Sequence, residues 1–334
     1  MKAGQAKLFA YRGRVAWAKV RAIALRRLDD VARAQANIAR RDKPGDLHDF
    51  RVASRRLEQA LDLLRSAEMR LGVQRLQRRL ARARKSISDV RNYDVFLDRV
   101  DRILARQKAP QREAWRAVRD YLESKRARKH DKAARKFAKL NLPRTYARLR
   151  SVLKSSQWFS GKRSRASETS GAAAPPPGGF RELAAAEAER LWEAVEEANR
   201  NARGSSDASA IHTLRLAVKR LRYLMEIIYA VEAPVNGKEL SSLRGAQRRL
   251  GEWHDLEMGE RLLAQMAGRP KFVHQQPRLA RDIRKLMTRS HRAKARILSR
   301  RPAVIDAPTR AHLERSVKDL QTAAVKLKRR QHEH

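Results

Sequence analysis

His48-Asp49-Phe50-Arg51-Val52-Ala53-Ser54-Arg55-Arg56-Leu57 and His212-Thr213-Leu214-Arg215-Leu216-Ala217-Val218-Lys219-Arg220-Leu221 are two copies of one pattern, the second beginning 164 residues after the first. Both read His-x-x-Arg-x-Ala, then Ser or Val, two basic residues and Leu, so the chain carries two related modules and one explanation must serve both. Drawn on a helix, His48, Arg51 and Arg55 share one face, while Phe50, Ala53, Leu57 and Leu61 form the apolar face beside it. The second copy repeats the division, with His212, Arg215, Lys219 and Arg222 on one stripe and Leu214, Ala217, Leu221, Leu224 and Ile228 on the other. Each motif helix therefore buries leucine and displays cations. A second matching segment follows each motif, Ile87–Val95 against Leu250–Met258, at an offset of 163 residues.

Working outward, nearly every segment has helical period and few β-branched runs, which predicts an all-α fold. Helices are predicted over 5–41, 47–67, 70–89, 92–107, 110–140 and a short stretch to about 154, with Asp46 as the N-cap of the first motif helix. From Ser155 to Gly179 the composition turns to Ser, Gly, Ala and a tri-proline, the signature of a linker. Further helices are predicted over 180–201, 207–231, 236–253, 255–267, 275–300 and 307–331. The expected organisation is thus an N-terminal repeat over 1–154, a linker over 155–179 and a C-terminal repeat over 180–334.

The charge is extreme. Lys and Arg number 78 against 36 Asp and Glu, a formal net charge of +42, and such an excess repels itself in the folded state and points to a polyanionic partner. Nucleic acid, anionic lipid and inorganic polyphosphate all satisfy that balance. The absence of cysteine excludes disulfides and thiolate metal sites and is compatible with a reducing cytosol. Apolar runs fall short of the roughly 18 residues of a membrane span, and Lys7, Arg12, Arg14 and Lys19 interrupt any secretory apolar region.

Cationic stripes recur beyond the motif helices. Arg75, Arg78, Arg82 and Lys85 are in register, as are Arg128, Lys132, Arg135 and Lys139, and Arg281, Lys285, Arg289, Arg292, Arg296 and Arg300 stay near one face. Compensating acids at i+4 are mostly missing. The candidate anion-binding set is therefore His48, Arg51, Arg55, Arg56, Arg78, Arg82, Lys85, Arg128, Lys132, Arg135, Lys139, His212, Arg215, Lys219, Arg220, Arg222, Arg248, Arg281, Lys285, Arg289, Arg292 and Arg296. His48 and His212 lack a second His or carboxylate at i+4 and so make poor metal ligands; contact with phosphate and a structural role between helices both remain open for them. No Gly-rich phosphate loop, HExxH or paired-Asp cluster occurs. Glu187-Ala188-Glu189-Arg190 has the alternating glutamates of triphosphate tunnel enzymes, but it lies in a predicted helix and ends in Arg. No catalytic residue, metal or cofactor is assigned.

Together, the two motif helices, Val90-Arg91-Asn92-Tyr93-Asp94-Val95 and Leu250-Gly251-Glu252-Trp253-His254-Asp255-Leu256-Glu257 resemble the signature elements of the CHAD family, the conserved histidine α-helical domain. The chain departs from the family pattern at Asn92, where Asp is usual, and the two repeats differ where Glu58 faces Arg222. The resemblance implies two pseudo-symmetric four-helix bundles around a basic cavity. It also implies binding of inorganic polyphosphate without turnover, in a cytoplasmic protein at polyphosphate granules. A nucleic-acid-binding architectural protein gripping the phosphate backbone is the alternative. Against single-strand binding, Trp17, Trp115, Trp192, Trp253 and Phe50 sit at core spacing rather than on a stacking platform.

Overall fold

Leucine and alanine at helical spacing fold as helices wherever the chain is described, and no strand occurs among the described residues. The computed structural model describes residues 2–41, 44–64, 67–106, 111–154, 180–203, 207–232 and 238–299, with six single positions between 310 and 322. The predicted linker at 155–179 and most of the helix expected at 307–331 lie outside these residues. The first half contains α1 (Lys2–Arg41), α2 (Pro44–Leu63), α3 (Ala67–Ser86), α4 (Ser88–Leu104), α5 (Arg112–Ala138) and α6 (Leu142–Lys154). The second half contains α7 (Phe180–Ala202), α8 (Ala208–Glu232), α9 (Lys238–Ala267), α10 (Pro270–Gln275) and α11 (Pro277–Ser299).

Local chemistry sets the ends. Asp207 caps α8, its carboxylate accepting the Ser209 and Ala210 N–H groups at 2.9 and 3.3 Å. The expectation that Asp46 caps α2 is corrected. The helix starts earlier, at Pro44, whose missing N–H costs nothing in the first turn, and this places Asp46 inside that turn, where its charge still favours the helix dipole. Asn141, at φ 42°, takes the left-handed conformation that lets the chain turn from α5 into α6.

One expectation about α9 is also corrected. The separate helices predicted over 236–253 and 255–267 are a single helix, because Leu243, Ala246, Leu250, Trp253 and Leu256 keep one buried face unbroken through the supposed gap. In the first half the equivalent point does break. Ile87, at φ −99° and ψ 1°, separates α3 from α4, although the Arg91 N–H still donates to its carbonyl at 3.1 Å. Thus α9 is the counterpart of α3 and α4 joined end to end.

Two apolar clusters result, and each draws on both halves of the chain. The larger joins α1, α2, α3 and α6 to α7, α8 and the N-terminal half of α9, with Leu28, Phe50, Leu57, Leu61, Leu214 and Leu221 at 0% exposure. Trp17 meets Phe180 edge to face with ring centroids 5.7 Å apart, and Phe50 meets Phe137 at 5.0 Å. The smaller cluster packs α4 and α5 against the C-terminal half of α9 and α11 through Phe96, Val100, Trp115, Leu122, Leu263 and Ile283. This pair of clusters is compatible with the two bundles expected. Matching ion pairs pin the smaller cluster on its two sides: Arg126 of α5 donates to buried Asp94 of α4 at 2.5 Å, and Lys294 of α11 to Glu257 of α9 at 2.5 Å. Asp94 and Glu257 occupy the same position of the two repeats.

Helices α4 and α9 approach closely only because Gly259 has no side chain. A Cβ there would lie 2.5 Å from Phe96 Cε2, and that ring is held against Trp115 at a centroid distance of 6.4 Å. Gly259→Ala is expected to destabilise the protein by about 1–3 kcal/mol through overpacking. Gly251→Ala on the same helix, where a Cβ would meet nothing within 4 Å, is expected to stabilise it by about 0.5–1 kcal/mol. Thermal or denaturant unfolding of the two variants checks the contrast.

Candidate functional site

The two motif helices pack against each other in the larger cluster, so their cationic faces meet. Arg51 and Arg55 of α2 lie opposite Arg215 and Lys219 of α8, each close enough to depress the protonation of others in the group. Burial is the larger cause in every case. Desolvation and then Arg215, Arg55, Arg51 and Arg222 pull the Lys219 ammonium down to about 7, and desolvation with Arg55, Arg84, Arg215 and Arg91 brings Arg51 to about 10. Among the described residues no carboxylate forms an ion pair with any of these four side chains. Arg51 donates to neutral groups instead, the Arg84 carbonyl at 3.1 Å and Ser88 Oγ at 2.7 Å.

Histidines line the rim. His48 Nδ1 lies 3.1 Å from an Arg91 guanidinium nitrogen, and the His212 ring stands 5.6 Å from that of His254. Arg91 and His254 are the same position of the two repeats, so each motif histidine meets a nitrogen-bearing side chain from the following segment. All three histidines favour the neutral form, foremost because of burial; His254 is pushed to about 3 by desolvation, Arg215, His212, Lys219 and Arg261. An arriving anion would reverse these shifts.

The repeats differ in how they satisfy their arginines. In the first, Glu58 on the motif helix accepts from Arg84 on α3 at 2.7 Å. In the second the donor and acceptor trade helices: Arg222 on the motif helix donates to Gln247 at 2.6 Å and to Glu226 at 2.5 Å. The Ser88 hydroxyl that accepts from Arg51 has Gly251 as its counterpart, which has no hydroxyl to offer Arg215. Correspondingly, Arg215 Nε is buried without a hydrogen-bond partner. A buried, unpaired donor is costly in an empty site and useful in a loaded one.

A cavity of about 580 Å³ opens between α2, α3, α7 and α8, and its wall is mixed in charge, with Arg55, Arg78, Arg84, Arg190, Lys219 and Arg220 beside Glu58, Asp62, Glu187 and Tyr223. Another of about 420 Å³ lies between α4 and α9 and contains Arg99, Arg102, Arg106 and Asp255. Asp255 sits close to Arg215, Arg99 and Arg91, and burial nonetheless raises its pKa.

The structure thus divides the candidate set. It gathers His48, Arg51, Arg55, His212, Arg215 and Lys219 between the motif helices, with Arg78 and Arg220 at the cavity wall. Arg56 and Arg222 turn toward Glu226 and the Tyr223 ring instead. Arg82, Lys85, Arg128, Lys132, Arg135, Lys139, Arg248, Arg281, Lys285, Arg289, Arg292 and Arg296 are exposed on outer faces. Three interior cations, Arg84, Arg91 and Arg99, were absent from the sequence-derived set, as was His254. Arg91 and His254 could have been found by treating the second repeated segment as part of the same face as the first. Trp17, Trp115, Trp192, Trp253 and Phe50 are all buried, as their spacing predicted. No helix among the described residues is long and apolar enough to cross a membrane.

Residues 22–264 match the model of the CHAD domain family. The crystal structure of the CHAD domain from the plant Ricinus communis is similar at a TM-score of 0.55 and 21% identity, over 89% of this chain and 90% of that one. PptA from Streptomyces chartreusis is similar at a TM-score of 0.52 and 20% identity, over 84% of this chain and 98% of that one. No curated protein sequence matches.

Lys219 makes the electrostatic strain of the site measurable. Its folded pKa near 7 lies below the ordinary 10.5, so the unfolded chain holds a proton that the folded chain does not between these values, and stability rises with pH across that window. Lys219→Met is therefore expected to be most stabilising, relative to the parent, at pH 7 and below. The advantage should shrink as pH approaches 10.5, as read by unfolding of both proteins at matched pH.

Proposed function

The chain belongs to the CHAD domain family, and we propose that it binds inorganic polyphosphate between its two motif helices, without turnover, and so targets or organises polyphosphate bodies. The observation that carries this reading is the quartet of Arg51, Arg55, Arg215 and Lys219, half-buried face to face with no ion-paired carboxylate among the described residues. Apolar packing beneath the quartet holds like charges together, and a polyanion would relieve their repulsion and so stabilise the fold. Arginine forks suit paired phosphate oxygens, and the unpartnered Nε of Arg215 supplies a donor already stripped of water.

The recessed position favours a thin polymer. A linear phosphate chain carries charge on every unit and can thread between helices, whereas a duplex, whose major groove alone is about 12 Å wide, reaches only outer faces. Single-stranded nucleic acid usually adds base stacking on exposed aromatics, and the aromatics named above are buried. Large exposed apolar side chains, which a lipid surface would engage, are confined to Val15 and Val152 among the described residues. We assign no turnover because the sequence carries no phosphate-transfer motif, and the expected result is no release of orthophosphate with or without magnesium.

Competition of labelled polyphosphate against duplex DNA at physiological salt tests the assignment. Polyphosphate is expected to win, with an affinity that falls steeply with salt as counterions are released. Reversing Arg51, Arg55, Arg215 and Lys219 to Glu should weaken binding by more than about a hundredfold, since each charge-assisted bond contributes ~1.5–3 kcal/mol, while circular dichroism stays unchanged. Leu57→Ala or Leu221→Ala, at 0% exposure, should instead cost about 2–5 kcal/mol of stability and reduce binding only as the fold fails. Polyphosphate binding by the charge-reversed protein at parental strength would refute the site.

Binding should also take up protons. Lys219 is half-neutral near pH 7 in the free protein and must be charged to face phosphate. Affinity is therefore expected to fall as pH rises above 7, by up to about tenfold per unit, and Lys219→Arg should flatten that profile.

A further inference from the structure

The sequence placed all the cationic stripes in one candidate set, whereas the structure sets Arg51, Arg55, Arg215 and Lys219 half-buried between the motif helices and leaves the other stripes exposed. On α11 the buried residues Ala280, Ile283 and Leu286 face the core, and Arg281, Lys285, Arg289, Arg292 and Arg296 lie on the opposite side of the same helix, all exposed. In its C-terminal half Lys294 turns inward, to Glu257 and Glu260 at 2.5 and 2.8 Å, and Arg289 donates to Gln111 Oε1 at the start of α5. The helix has a single acid, Asp282, which pairs with Lys285 at 3.0 Å. The stripe from Arg281 to Arg296 runs about 22 Å at 1.5 Å per residue. It belongs to the smaller apolar cluster, and α11 lines neither of the two cavities described above.

From this geometry we infer that the protein is a bridge: one polyphosphate strand is held between α2 and α8, and a second, independent strand lies along the outward face of α11. The inference rests on the proposed polyphosphate binding and adds a second surface to it. The physical reasons are direct. A strand in the recessed site neutralises cations that face inward, and it does not reach the exposed α11 stripe, whose own helix offers Asp282 as its single counter-charge. Exposed cations spaced one helical turn apart along a straight line match an extended polyanion. They do not match a compact anion, which only one or two of them could reach. Two surfaces on one rigid body convert binding into cross-linking, and on long chains the attachments reinforce one another by effective concentration.

The test counts strands. A short polyphosphate of one defined length, matched to the roughly 22 Å stripe, is titrated into the full chain at physiological salt, and stoichiometry is read by calorimetry and native mass spectrometry. The expected counts are two chains per parent molecule. One chain is expected for the variant with Arg281, Lys285, Arg289, Arg292 and Arg296 changed to Glu, and one for the variant with the interior quartet reversed. A control that reverses five scattered exposed arginines, Arg26, Arg40, Arg116, Arg148 and Arg200, carries the same charge change and should still bind two. Because five glutamates on one face can weaken a helix, a Gln version of the α11 variant is run beside it and should give the same count of one. With long chains, energy transfer between donor-labelled and acceptor-labelled polyphosphate should appear for the parent and vanish for either single-surface variant. A parent that binds one chain, or α11 variants that still bind two, overturns the bridge and leaves the interior site standing. Loss of the second chain in the scattered control overturns the assignment to α11. A parent that binds no polyphosphate removes the proposed function and the bridge together.

Discussion

Apolar packing forces like charges together here, and the rest of the structure is arranged around that conflict. Leu57 and Leu221 bury their helices in one core, and in doing so bring Arg51 and Arg55 against Arg215 and Lys219. Hydrophobic burial is non-directional and strong, about 25 cal/mol per Å², so it can hold a repulsive face closed in the absence of ligand. The cost shows in the protonation of the site. A lysine near pH 7 and a histidine near pH 3 describe a pocket that resists its own charge.

The two repeats resolve the conflict differently. The first answers its arginines internally, with Ser88 for Arg51 and Glu58 for Arg84. The second diverts Arg222 to Gln247 and Glu226 and leaves Arg215 Nε unanswered. The substitution of Glu58 by Arg222 between copies, which in the sequence looks like an interruption of a stripe, is an exchange of donor and acceptor across the same helix contact. The second half is left as the more demanding side of the site.

All-α structure was legible because the helical period of leucine and alanine is a local property, and the duplication because both motif copies are intact. The gathering of His48, Arg51, Arg55, His212, Arg215 and Lys219 followed from their shared face. Beyond that, a helical wheel reports which residues share a face but not which neighbour covers it. Arg82, Arg128 and Arg292 lie on stripes as regular as that of Arg51, yet they are exposed on outer surfaces. Arg84, Arg91 and Arg99 reach the interior from α3 and α4 because of how those helices cross α2 and α9, a tertiary fact with no periodic signal. The unbroken α9 illustrates the same limit: helices over 236–253 and 255–267 are expected, whereas burial continuous from Leu243 to Leu256 carries one helix through the join.

Both apolar clusters are built from helices of both halves, and this bears on how the molecule can be assembled. A chain cut between Lys154 and Phe180 would give two fragments, each with complete sequence motifs and neither with a complete core. Each would present the apolar faces of α2 or α8, and of α5 or α11, to water until it met the other. The repeats are thus halves that depend on each other rather than tandem copies that each suffice. Their covalent connection turns an encounter between two sticky fragments into a unimolecular closure, and closing the shared core is the same step that brings the cations of α2 and α8 together.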